Sequence, residues 1–192
     1  MKIVFVTNNP HKLEEIRNAV NKDFTITGLA ENGIQEDIPE TSDTLEGNAI
    51  EKAKYIFTKY GLNCFADDTG LEVEALDGHP GVYSARYAGP QCSSRNNVRK
   101  LLKEMEKKHN RRARFRTVIA YIEEGKTKIF EGVIKGSITR ETHGNKGFGY
   151  DPVFRPENSD KTFAEMSLEK KNQISHRARA LQKFVAYLSE NT

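Results

Sequence analysis

Apolar and polar residues along this chain change their spacing several times, and each spacing predicts an element. Residues 2–6 (KIVFV) form a short apolar run of the kind found in a strand covered on both faces. Thr7-Asn8-Asn9-Pro10 interrupts it, and Leu13, Ile16, Ala19 and Val20 then recur at helical spacing. Asn8 or Asn9 suits the cap of that helix, and Pro10 its first position. Residues 24–29 predict a weak second strand, and the polar residues 30–43 a loop closed by Pro39-Glu40-Thr41-Ser42-Asp43. A helix over about 45–60 carries the stripe Ala49, Ala53, Ile56, Phe57 and Tyr60, and Gly61 stops it. Residues 62–66 return to an apolar run too short for a helix. Strand and helix alternate this far, which favours βαβ units and parallel pairing.

Beyond Gly70 the period falls to two. Leu71, Val73 and Ala75 alternate with Glu72 and Glu74, as in a half-exposed strand. Residues 77–81 (DGHPG) are rich in turn formers, and residues 82–87 are compatible with an extended or a helical piece. Ser94 caps a predicted helix bearing Val98, Leu101, Leu102 and Met105. Residues 115–122 read as a strand that Glu124-Gly125 turns into strands over 127–133 and 134–139, an antiparallel meander. Ser175 caps a final helix with Ala178, Leu181, Val185 and Leu188 on its apolar stripe. A mixed sheet follows from these two halves.

Composition narrows the function classes. With 36% hydrophobic and 30% charged residues the 192-residue chain can build a core and stay soluble. No apolar run approaches the ~20 residues of a membrane span, and the four apolar residues after Met1-Lys2 do not make a signal peptide. Cys64 and Cys92 are too few for a disulfide framework and lack metal-ligand spacing, so both are expected to be free thiols in a reducing cytoplasm. A net charge of +3 allows an anionic ligand without demanding nucleic acid. The basic run 107–114 has no interleaved aromatic platform and reads as a solvated helix end, so no nucleic-acid partner is expected.

Four stretches carry candidate chemistry. The strand over 62–66 is expected to end at Asp67-Asp68-Thr69-Gly70, which puts two adjacent carboxylates beyond its carboxyl end, where open α/β sheets bind ligands. Two such carboxylates repel unless a cation relieves them, and Mg²⁺ uses one or two carboxylates plus substrate phosphates. The loop Thr7-Asn8-Asn9-Pro10-His11-Lys12 would aim backbone N–H groups and a helix N-terminus at an anion, although GxxxxGK is absent. In Gly144–Pro152 the glycines permit close approach of backbone to a ligand, and Phe148 and Tyr150 offer faces to a planar base. Lys171 and the Ser175-His176-Arg177 tripeptide complete the set.

Taken in order, these motifs resemble the inosine/xanthosine triphosphate pyrophosphatase family over about residues 2–181. Residues 7–12 are similar to its phosphate loop, Pro39-Glu40-Thr41 to its acidic metal segment, and Lys52 to its helix lysine. Asp67-Asp68-Thr69-Gly70 matches the carboxylate pair, residues 80–87 the segment after it, and Gly147–Pro152 and Ser175–Arg177 the base-binding elements. Asn8, Ser42 and Gly47 depart from the pattern, the last two standing where the family often has Gly and Glu. The resemblance implies hydrolysis of ITP, dITP and XTP to a monophosphate and pyrophosphate. It implies one domain over residues 1–192, an α/β fold with a mixed, elongated, twisted sheet flanked by helices, and two lobes with an active-site cleft between them. It also implies Mg²⁺ on Glu40 and Asp68, and a homodimer.

Role by role, Asp68 is expected to activate or position the attacking water with Asp67 in support. Thr7, Asn8, Asn9, Pro10, His11, Lys12, Lys52 and Thr69 would hold the triphosphate. Phe148, Gly149, Tyr150 and Asp151 would frame the base, and Lys171 would reach a phosphate or the base. His176 and Arg177 would donate to a 6-oxo purine. The alternative from another class is a nucleotide-binding or sensing protein without catalysis.

Overall fold

The computed structural model describes residues 2–20 and 24–190. In chain order the elements are β1 (Lys2–Phe5), α1 (Pro10–Ala19), β2 (Thr25–Thr27), α2 (Leu45–Tyr60), β3 (Cys64–Val73), β4 (Pro80–Gly81), α3 (Ser94–Glu104), β5 (Arg112–Glu123), β6 (Lys126–Ile138), β7 (Phe154–Pro156), α4 (Leu168–Ile174) and α5 (His176–Glu190). One mixed seven-stranded sheet runs β2-β1-β3-β5-β6-β7, with β4 paired to β3. β1 pairs in parallel with β2 and with β3, whereas β4 on β3 and β7 on β6 are antiparallel. The expected α/β class and mixed sheet are both present.

Several boundaries differ from the sequence expectation. The strand expected to stop at Ala66 continues through the carboxylates as the ten-residue β3, so Asp67 and Asp68 are mid-strand residues rather than a turn. Acidic residues and glycine are poor strand formers, but tertiary pairing overrides that preference. The two strands expected over 127–139 are one, β6. The turn between β5 and β6 is as expected: Glu124 and Gly125 both have positive φ (50° and 76°), the two-residue loop that matches strand twist. Residues 84–86 form a single 3₁₀ turn, and the cap of α3 is Ser93, one residue before Ser94.

The chain divides into two compact units. One comprises Met1–Asp68, Thr117–Gly132 and Arg177–Thr192, the other Thr69–Arg116 and Val133–His176. The first is built on Ile3, Phe5, Ile16, Phe65, Ile119, Tyr121, Leu181 and Phe184. Phe5 and Phe65 stack across neighbouring strands with centroids 4.6 Å apart and planes within 5°. Leu13 and Val20 of the expected α1 stripe pack against this core, while the side chain of Ala19 lies outside the described residues. The second core gathers Leu71, Val73, Leu101, Phe115, Tyr150, Phe154 and Phe163.

Candidate active site

In the first unit, β3 delivers two buried carboxylates to opposite faces, because successive side chains of a strand alternate. Asp67 is 0% exposed. It accepts from Lys12 Nζ at 2.9 Å and from Arg177 Nε at 3.3 Å. Burial alone would push its carboxyl up, but the cations of Lys12, Arg177 and Lys52 hold it well below the usual carboxylate range. Asp68 is 9% exposed. It accepts from Asn48 Nδ2 at 3.1 Å, and Lys52 Nζ stands 4.0 Å from Oδ1. Burial raises its carboxyl, Lys52 and Lys12 pull the other way, and Glu40 adds to the rise.

Lys52 itself projects from α2, donates 2.8 Å to the Asp67 carbonyl and pairs with Glu40. One buried ammonium thus faces Glu40 and Asp68 together. The charges gathered here are Glu15, Glu40, Asp67 and Asp68 against Lys12, Lys52 and Arg177, an excess of one negative charge. That balance and the hard oxygen donors fit a small divalent cation shared with phosphate oxygens. Among the described residues no three His, Cys, Asp or Glu side chains converge into a full protein cage. A magnesium ion that keeps several water and phosphate ligands does not need one.

The loop before α1 is tied into itself. Asn9 caps the helix, its Oδ1 accepting from the His11 and Lys12 N–H groups, with Pro10 next in the chain. Thr7 Oγ1 accepts from the Asn9 N–H at 3.1 Å, and Asn8 reaches the Glu36 carbonyl at 3.5 Å. So the amides expected to face an anion already have a side-chain acceptor in Asn9. The cation of this corner is the Lys12 side chain, and it lies on Asp67.

In the second unit, Gly147–Pro152 wraps around Asp151. The Asp151 carboxylate accepts from the Phe148 N–H at 2.9 Å and from Lys171 Nζ at 2.7 Å, and both charged residues are 3% exposed. Gly147 has φ +73°, and a Cβ there would meet Asp151 Oδ2 at 2.0 Å, so this turn requires glycine. Lys171 also stands over the half-buried Phe148 ring, 4.8 Å from its centroid. His176 is buried and stacks on Phe115 at 4.6 Å and 15°. Thr69, the residue after the carboxylate pair, is half-buried on β3.

Two expected roles change in this geometry. Tyr150 is a core residue, 4% exposed, with its hydroxyl donating 2.8 Å to the Ser84 carbonyl, so its ring is not a face offered to a base. Lys171, expected to reach a phosphate or the base, stands beside Phe148, one of the residues expected to frame the base. Arg177 was expected beside His176 on the base. Its guanidinium instead pairs with Glu15 and Asp67, because consecutive helical residues point about 100° apart. Sequence reasoning missed Glu15 and Asn48. The available signal was a polar residue inside an apolar face: Asn48 precedes Lys52 by one turn and adjoins Ala49 on the packed side of α2.

The comparisons with known proteins agree with the motif order. The model of the Ham1 family matches residues 3–187. This chain belongs to the Ham1 family. Similar relatives include the dITP/XTP pyrophosphatases of Flavobacterium johnsoniae, 55% identical with 98% of both chains covered, and Porphyromonas gingivalis, 56% identical with 97% of both covered. The solved Ham1 protein of Staphylococcus aureus superposes with a TM-score of 0.90 at 39% identity, covering 100% of both chains. That of Coxiella burnetii also gives 0.90, at 37% identity and 99% coverage of both.

Proposed function

We propose that this Ham1-family chain hydrolyses non-standard purine nucleoside triphosphates, dITP, ITP and XTP, to the monophosphate and pyrophosphate. One observation carries the chemistry: two neighbouring carboxylates sit in opposite electrostatic settings. Asp67 is held ionised by the cations of Lys12 and Arg177, while burial and nearby Glu40 raise the carboxyl of Asp68 against the pull of Lys52 and Lys12. A protein that only binds a polyanion gains nothing from such a pair, which argues against the sensing alternative. Curated relatives named dITP/XTP pyrophosphatases, about as long as this chain, support the substrate class.

Asp68 and Glu40 would hold Mg²⁺, whose chemistry when bound is to neutralise phosphate charge and polarise the phosphorus centre. Asp68 orients the attacking water; a carboxylate that also holds a metal ion is a poor base near neutral pH, so it positions the water more than it deprotonates it, and the proton passes to solvent. Water adds to the α-phosphorus as the bond to the bridging oxygen breaks, and the electron pair leaves with pyrophosphate. Lys12 and Lys52 stabilise the triphosphate, while Thr7 to His11 and Thr69 line it. Phe148 stacks on the base, Gly149 lets the backbone approach, and Lys171 on Asp151 rigidifies the turn. His176 offers a buried donor to a 6-oxo group. Adenine, with an amino group there, would leave that donor unsatisfied. Arg177 serves by keeping Asp67 ionised.

The same reading gives a homodimer, on the family resemblance, in the cytoplasm. Two free cysteines suit a reducing compartment. Among the described residues no helix is long and apolar enough to cross a membrane. The deciding experiment incubates the protein with dITP, XTP, ITP, GTP and ATP, with Mg²⁺ or with excess EDTA, and identifies products by chromatography. Monophosphate and pyrophosphate from the first three, abolished by EDTA, are expected. Inorganic phosphate plus diphosphate would reject the reaction.

A further inference from the structure

We infer that Asn48 is a positioning residue whose amide fixes the orientation of Asp68 and ties it to the segment carrying Glu40. The inference rests on the role proposed above for Asp68. Asn48 stands in the first turns of α2, where asparagine is a weak helix former, and it is 1% exposed. A buried amide is costly unless both ends are hydrogen-bonded. Here both are. Oδ1 accepts from the Ser42 N–H at 2.9 Å, and Nδ2 donates to Asp68 Oδ2 at 3.1 Å. A main-chain N–H can only donate, so the amide oxygen must face Ser42. The planar amide then has no choice but to turn its NH₂ group to Asp68.

The contact is the last rung of a ladder along one side of α2. Glu40, Thr41 and Ser42 are consecutive, and each is held by a different side chain of that helix. Lys52 takes Glu40. Glu51 accepts from both the N–H and the hydroxyl of Thr41, each at 2.7 Å. Asn48 takes the Ser42 N–H. Lys52 also faces Asp68, at 4.0 Å, but Asn48 is the one of these three within hydrogen-bonding distance of an Asp68 oxygen, so its amide ties the acidic loop to the strand carboxylate. Gly47 makes room for the arrangement, because a Cβ there would meet Ser42 Oγ at 1.9 Å and Ser42 Cβ at 2.6 Å.

Two substitutions separate the amide's two ends. Asn48→Asp is nearly isosteric and keeps an oxygen for the Ser42 N–H, but it replaces the donor to Asp68. Asn48→Ala removes both. With dITP and Mg²⁺, both variants are expected to lose about 10–100-fold in kcat, with KM for the nucleotide within about threefold of the parent. An Asn48→Asp protein that keeps full kcat while Asn48→Ala loses it would overturn the inference, since the loop bond alone would then suffice. Full kcat in both, or a loss confined to KM, would overturn it as well. A second readout needs no catalysis. In the ¹⁵N-labelled full chain the Asn48 side-chain NH₂ protons should exchange slowly and lose that protection in Asp68→Ala; unchanged protection would exclude the contact. If the unsubstituted protein released no pyrophosphate, the proposed function would fail instead, and the exchange experiment would still report on Asn48.

Discussion

Asp67 and Asp151 are both buried carboxylates hydrogen-bonded to a lysine, yet their surroundings differ in kind. Asp151 meets Lys171 at 2.7 Å, inside a turn closed by the Phe148 N–H and beside aromatic rings. Asp67 meets two cations, Lys12 and Arg177, and Lys52 donates to its carbonyl. Its neighbour Asp68 accepts from the uncharged amide of Asn48, and the Lys52 ammonium stands 4.0 Å from it. The first arrangement neutralises charge and fixes a loop. The second distributes charge unevenly over adjacent residues, which is how a fold makes two chemically identical groups behave differently. Balanced pairs hold shape, and unbalanced clusters are where a charged ligand has something to gain.

The largest expected effect tests the unbalanced cluster. Asp68→Asn should lower kcat for dITP by about 10²–10⁴-fold, the range for a lost acid–base group. Its thermal midpoint should stay near or above the parent's, because burial already disfavours the charge there. Full turnover in a steady-state assay would remove Asp68 from the chemistry. Next comes the balanced pair. Lys171→Met takes away the ammonium 2.7 Å from buried Asp151, and should cost about 3–5 kcal/mol in urea unfolding. Adding Asp151→Asn should recover most of that. Lys12→Met, by contrast, leaves Asp67 its Arg177 partner and should cost clearly less. Equal losses would break the contrast between the two clusters.

A smaller effect concerns the loop that carries Glu40. Gly47→Ala should destabilise by about 1–3 kcal/mol through overpacking against Ser42, despite alanine's higher helix propensity. Ser42→Gly in the same chain should restore stability, and a cycle of chemical denaturations measures the coupling. The smallest effect concerns the far end of that loop. Glu36 accepts from Lys59, Tyr55 and Tyr60, which pull its carboxyl down from 4.5 to about 2. Since the folded value is depressed, this contribution to stability is present above pH 4.5 and is lost as pH falls toward about 2. A carboxyl-carbon NMR titration of Glu36 with a midpoint near 4.5 would show that the anchor does not form.

Much of this protein is legible in its sequence. The period of apolar residues located β1, α1, α2, β5 and α5, and the order of motifs marked out the two clusters, because hydrophobic spacing and turn chemistry are local properties. Extension of β3 through Asp67-Asp68-Thr69-Gly70 was not legible. Strand formation there depends on partners far away in sequence, and local preference pointed to a turn. The same limit misplaced Arg177 and Tyr150. Each lies beside a residue with a candidate binding role, but direction around a helix or into a core is decided by what packs against it. Residue types and their order determined what chemistry this chain carries. Only the tertiary structure decided which carboxylate received two cations and which received an amide, since electrostatic environment is set by neighbours 20 to 110 positions away in the chain.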